Sequence, residues 1–199
     1  MEISALTEAV VRRLFVELEA SGRHVHVTKE QAMTLFGHPL TPKRALSQPG
    51  QYLANERLTI VGPKGEFQNV AVLGPERKEA QVEISLTDGK VLGIMPPVRP
   101  SGSVADSPGI TLKTDKAAVV LTQGVIAAQR HIHVHPEDAA HLGVQDKQLV
   151  RLQTYTARPV IFEDVLVRVH PDFATSVHLD YDEANACGFQ NGDLGRILP

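Results

Sequence analysis

The sequence has one cysteine, Cys187, and no tryptophan among its 199 residues. A lone thiol excludes an intrachain disulfide framework and any closed zinc cage built from cysteines, and it suits a reducing, cytoplasmic setting. No apolar run approaches the roughly 20 residues that a membrane-spanning helix needs, and no signal-peptide pattern appears, so no membrane partner is expected. A basic excess is also missing. Lys and Arg total 20 against 23 Asp and Glu, a net charge of -3, which leaves nothing to neutralise a nucleic-acid backbone. Aromatic residues make up only 5% of the chain, whereas 15 glycines and 13 prolines punctuate it. That balance favours many short strands joined by turns over a helical bundle.

What is present is a repetition. "RHVHVTKEQAMTLFG" begins at Arg23 and "RHIHVHPEDAAHLG" at Arg130. An offset of 107 residues pairs Arg23, His24, His26, Glu30, Ala32 and Leu35 with Arg130, His131, His133, Glu137, Ala139 and Leu142. Further on, "FQNVAV…AQVEIS" aligns with "FEDVLV…TSVHLD" at an offset of 95, matching Phe67, Val70, Val72 and Val82 to Phe162, Val165, Val167 and Val177. Self-similarity of this extent implies a duplicated unit with pseudo-twofold symmetry. The expected organisation is an N-terminal amphipathic helix within residues 1–20, then halves of 23–128 and 129–199. The helix rests on Ile3, Leu6, Val10, Leu14 and Leu18 at helical spacing, with charged residues on the other side. Thr28 and Gln31 form a capping box, and Gly37 stops the helix that follows. "RLTIVGPKG", "FQNVAVLGP", "AQVEISLTDG", "GITLKTD" and "AAVVLTQG" read as strands. The expected fold is mainly β, with two similar β-barrel domains.

The duplication carries the chemistry. In a strand, histidines at i and i+2 share one face. The second alignment sets Glu83 opposite His178, so each half offers an H-x-H pair and a third ligand: His24, His26 and Glu83, then His131, His133 and His178. Zinc accepts histidine nitrogen and carboxylate oxygen, and catalytic sites keep three protein ligands with one open position. A single H-x-H is weak evidence, since most histidines are surface or hydrogen-bonded core residues. Two pairs in matched contexts outweigh that reading. His135 occupies the N-cap position that Thr28 holds in the first half, and His38, His141 and His170 fall in helix or turn contexts, so none of these four is a candidate ligand. A cupin-like H-x-H-x-x-x-E site is disfavoured because Glu30 and Glu137 fall in helices. A metallo-β-lactamase-like dizinc site is disfavoured because the Asp-His of its motif is missing.

The chain closely resembles the propanediol-utilisation type of phosphate acyltransferase (phosphotransacylase) found in bacterial microcompartments. The likeness runs from about Arg23 to Asn185 and rests on "RHVHVTKEQAMTLFG", "LSQPGQY", "LTIVGPKG", "LGPERKEAQVEIS", "LGIMPPVRPSG", "SPGI", "GVIAAQRHIHVHPEDA" and "DYDEANA". The resemblance implies two β-barrels capped by short helices, with a dizinc site between them that interconverts a short-chain acyl-CoA plus phosphate with an acyl phosphate plus CoA. It implies one zinc at His24, His26 and Glu83, where the CoA sulfur completes the shell, and a second at His131, His133 and His178. Arg77 in "GPERK" matches a phosphate-binding arginine, and Asn185, Lys43 and Arg44 match CoA contacts. It further implies a homodimer or higher homo-oligomer and a place in the microcompartment lumen. There the N-terminal helix would act as an encapsulation peptide that meets shell or cargo proteins, although only Ala20, Ser21 and Gly22 separate it from the first R-H-x-H.

The alternative in a different class is a non-catalytic, metal-stabilised module that senses CoA or another nucleotide; such a module has no need of Arg77. A two-metal hydrolase would want a bridging acid, and the six ligand candidates contain one carboxylate, Glu83.

Overall fold

The computed structural model describes Val11 and residues 13–198. The chain divides into two compact units. One is Gly22–Ala128; the other joins Gln129–Pro199 to the residues up to Ser21.

The Gly22–Ala128 unit contains β2 (His24–His26), α1 (Lys29–Phe36), β3 (Pro42–Ala45), β4 (Tyr52–Val61), β5 (Glu66–Gly74), β6 (Gln81–Glu83), α2 (Leu86–Leu92), β7 (Val98–Arg99), β8 (Ile110–Lys113), β9 (Ala118–Leu121) and β10 (Val125–Ala128). They form one curled sheet in the order β7-β10-β6-β2-β5-β4-β8-β9, with β3 on β4. The second unit contains β1 (Val16–Ser21), β11 (His131–Val134), α3 (Pro136–Leu142), β12 (Leu149–Tyr155), β13 (Ile161–Val169), β14 (Ser176–Asp180), α4 (Tyr181–Cys187) and β15 (Leu194–Leu198). Its six strands close into a barrel in the order β1-β14-β11-β13-β12-β15. β1 completes the ring, since it pairs parallel with β14 and antiparallel with β15.

The helix expected through Leu18 therefore does not extend that far. A helical turn reaches Leu14, and the Phe15 N–H donates to the Val11 carbonyl at 2.9 Å. From Val16 the chain is strand. Val16 and Leu18 are buried with Ile132, Val167, Val177 and Leu179 in the barrel core. The earlier part of the proposed encapsulation helix, residues 1–10, lies outside the described residues.

Alternation sets both H-x-H strands in the same way. Val25 and Val27 are fully buried in one core, and Ile132 and Val134 in the other, so the intervening histidines turn to the opposite sheet face. Burying such a side chain is worth about 1.5–3 kcal/mol. A one-residue register slip would lose that and drive the imidazoles into apolar cores.

The expected capping box of α1 is present: the Thr28 hydroxyl accepts from the Gln31 N–H and the Gln31 side chain from the Thr28 N–H, while Gly37 ends the helix at φ 82°. His135 caps α3 through an Nδ1 that accepts from the Glu137 N–H. The run from Ala80 to Gly89 is not strand throughout. It pairs only over Gln81–Glu83, and then Ser85 caps α2 with Asp88 closing the capping box. α4 begins in the same manner on Asp180 and Glu183.

Candidate metal centres

The third ligand lies directly across the sheet from the first histidine in both units. β2 and β6 are antiparallel with His24 opposite Glu83, and β11 and β14 are antiparallel with His131 opposite His178. The i, i+2 histidine then completes a triangle on the same face. Each set offers one ligand atom per residue, all within 4.8 Å of one another.

The donor sets fit a divalent ion of the zinc type. Nδ1 of His24 donates to the Gly22 carbonyl at 2.8 Å, and Nδ1 of His131 donates to the Gln129 carbonyl at 2.8 Å. A carbonyl only accepts, so the proton sits on Nδ1 and the Nε2 lone pair is left to face a metal, a common second contact of ligating histidines. His26 makes a longer contact of the same kind to the Leu73 carbonyl, 3.3 Å. Glu83 Oε1 accepts from the Gln81 amide at 2.5 Å and from the Ser101 hydroxyl at 2.9 Å, which holds the carboxylate in place.

Electrostatics within the first set follow from burial and proximity. Burial alone would raise the Glu83 carboxyl, but His24 and His26 beside it and the Ser101 hydroxyl outweigh that and hold it well below the usual carboxylate range. Burial pulls His24 down, yet the Glu83 carboxylate and the Gly22 carbonyl leave it above its ordinary value. His26 is pushed well below its ordinary value by burial first, then by His24 and by the charge of Arg77. His26 is thus favoured neutral, the form a metal ligand requires.

Arg77 follows β5, half-buried, and its backbone N–H donates to the Val27 carbonyl at 2.9 Å. Its charge reaches both His24 and His26. Lys43 and Arg44 lie on the exposed strand β3, and Asn185 is exposed on α4. The second set is packed ring against ring. His131 and His178 stack with centroids 5.1 Å apart, and His133 stacks on Phe173 at 4.0 Å.

The motif reading missed a supporting pair that is also duplicated. Arg23 donates to both carboxylate oxygens of Asp88, at 3.0 and 2.6 Å, and its guanidinium lies 4.0 Å from the Phe67 ring centre. Arg130 donates to Glu183 at 2.9 Å with Phe162 at 5.8 Å. In each case the arginine before H-x-H grips the capping-box acid of the helix that follows the third ligand. The offset of 95 that matches Glu83 to His178 also matches Asp88 to Glu183, so the signal was present in the sequence.

Fold and site together define a duplicated β protein with one three-residue cluster in each unit that could hold a metal ion. Comparison with known proteins sharpens that class. A model of the phosphate propanoyltransferase family matches residues 17–190. A phosphate propanoyltransferase of Enterococcus faecalis is 50% identical over 204 residues, covering 98% of this chain and 97% of that protein. One from Listeria monocytogenes is 53% identical over 202 residues (98% and 95%), and one from Thermotoga maritima 53% over 181 residues (89% and 86%). The chain belongs to the phosphate propanoyltransferase family. Among the described residues, no helix is long and apolar enough to cross a membrane.

Proposed function

We propose that this protein is a zinc-dependent phosphate acyltransferase that interconverts a short-chain acyl-CoA and phosphate with an acyl phosphate and CoA. The observation that carries this reading is the convergence of His24, His26 and Glu83 within the field of a cationic side chain, since the charge of Arg77 acts on both histidines. A sensor of CoA has no need of a site for a second substrate, free phosphate, beside those ligands. The family membership supports the same reading.

Bound zinc would supply a cation that stabilises the departing CoA thiolate at one set and Lewis acidity at the other. The remaining work falls to the chain. His24, His26 and Glu83 hold one ion, and His131, His133 and His178 a second. Gln81 and Ser101 keep the Glu83 carboxylate aimed. Arg77 binds the phosphate dianion, for which its planar fork is matched, and orients one oxygen toward the thioester carbonyl. That oxygen attacks, a C–O bond forms, the C–S bond breaks, and the sulfur leaves with its electron pair. Phosphate is already a nucleophile, so no serine or cysteine is needed. Cys187 is fully buried, and burial pushes its thiol up, which suits a small packed hydrophobe. Lys43, Arg44 and Asn185 would bind CoA. An assembly of two or more copies and a position inside a bacterial microcompartment, reached through the segment before β1, complete the proposal.

The test is phosphate-dependent release of free thiol from acetyl-CoA and propanoyl-CoA, together with elemental analysis. Two zinc ions per chain, activity lost on chelation and regained with zinc, are expected. Full activity in protein free of transition metal would refute the mechanism.

A further inference from the structure

The third ligands of the two sets differ in charge, and so does what lies beside them. β10 runs parallel to β6 with Ile126 opposite Glu83, while β1 runs parallel to β14 with Glu19 opposite His178. The same offset of 107 that relates the two R-H-x-H motifs relates Glu19 to Ile126. One structural position thus carries an apolar residue beside the anionic ligand and a carboxylate beside the neutral one. Glu19 Oε2 lies 3.8 Å from Nδ1 of His178, with side chains 28% and 15% exposed. The other nitrogen of His178, Nε2, lies 3.1 Å from the Ser176 hydroxyl. A carboxylate only accepts, so it favours the tautomer with the proton on Nδ1, which leaves the Nε2 lone pair to the Ser176 hydroxyl or to a metal.

We propose that Glu19 is a positioning residue for the metal set His131, His133 and His178, a role that rests on the metal-binding reading above. It turns His178 into the ligating tautomer and supplies the negative charge that Glu83 supplies directly in the other set. At 3.8 Å the carboxylate makes an ion-pair contact longer than a hydrogen bond, and ligation at Nε2 would strengthen the pull by acidifying Nδ1–H. His24 and His131 have backbone carbonyls in this place. For His178 the partner is a side chain, and so it can be removed without disturbing the backbone.

The experiment compares full-length wild type, Glu19→Gln, Glu19→Asp and Glu17→Gln, the last an exposed carboxylate on the same face of β1. Zinc affinity is read by competition with a chromogenic chelator. In Glu19→Gln one of the two zinc ions should bind as in wild type and the other about 10–100-fold more weakly. Glu19→Asp should restore part of the loss, and Glu17→Gln none should show. With Co2+ in place of zinc, the absorption bands of one site alone should change. Melting of the metal-stripped proteins separates orientation from packing: stripped Glu19→Gln should melt with stripped wild type. Two zinc affinities in Glu19→Gln equal to those of wild type would overturn the inference, as would an equal loss of stability with and without metal. Absence of metal binding by wild type would instead remove the reading on which it rests.

Discussion

The set around His24 and the set around His131 are built on the same local plan. Each has an H-x-H strand with apolar residues turned to a core, a third ligand straight across an antiparallel pairing, and an arginine that ties the next helix to the strand. They differ in where the negative charge lies. In the first set Glu83 is itself a ligand candidate, gripped by Gln81 and Ser101. In the second, three imidazoles stand alone as donors and Glu19 backs one of them. They differ also in the sheet beneath: the first stands on a curled sheet, the second on a closed barrel that only β1 completes. Repeating a scaffold repeats the geometry of a site but not its charge, because geometry follows from register whereas charge depends on single side chains.

The largest way to break this comparison is to remove β1. Deleting residues 1–21 leaves β14 and β15 without the strand that joins them and exposes the core that Val16 and Leu18 cover. We expect loss of the zinc held by the second set and of cooperative unfolding of the barrel, followed by calorimetry and metal analysis. Deleting residues 1–10 spares β1 and should keep both metals.

Next comes the ligands themselves. His131→Ala with His133→Ala should remove one zinc ion and leave the other, with turnover lost, and His24→Ala with His26→Ala should do the converse. Removal of both ions by either pair, measured by elemental analysis, would show that the sets are not independent.

Arg77→Ala should spare both metals yet raise the Michaelis constant for phosphate and lower turnover. Loss of a charge-assisted hydrogen bond costs roughly 1.5–3 kcal/mol, about one to two orders of magnitude in rate or affinity. Arg77→Lys should recover only part, since an ammonium keeps the charge and not the fork. Steady-state kinetics varying phosphate at saturating acyl-CoA decide it, and an unchanged phosphate dependence would sink the assignment.

The smallest effect sharpens the comparison of the two supporting arginines. Arg23 makes two bonds to Asp88, whose side chain is 7% exposed, whereas Arg130 makes one to Glu183 at 18%. Arg23→Ala should therefore cost more stability, about 1–3 kcal/mol against about 1 kcal/mol for Arg130→Ala, as denaturant midpoints would report.

Much of this was legible along the chain because it depends on local alternation and on repetition. Period-2 spacing put His24 with His26 and His131 with His133 on one face, and the apolar residues between them decided which face met a core. The offset of 95 brings Glu83 and His178 to equivalent places without reference to strand pairing. Capping chemistry marks Thr28 and His135, whereas the equivalent start at Ser85 is hidden because the strand pattern runs into it. The N-terminal segment shows where such reasoning stops. Residues four apart share a face in a helix and in a strand alike, so Leu14 and Leu18 support either, and only burial of Val16 in the barrel chooses the strand. That choice is made by β14 and β15, which lie far along the chain. The tertiary structure alone decided that β1 closes the barrel, that Glu19 comes beside His178, and that one sheet closes while the other stays open. Each depends on edge pairings between distant strands, and no local pattern encodes which distant edge a strand will meet.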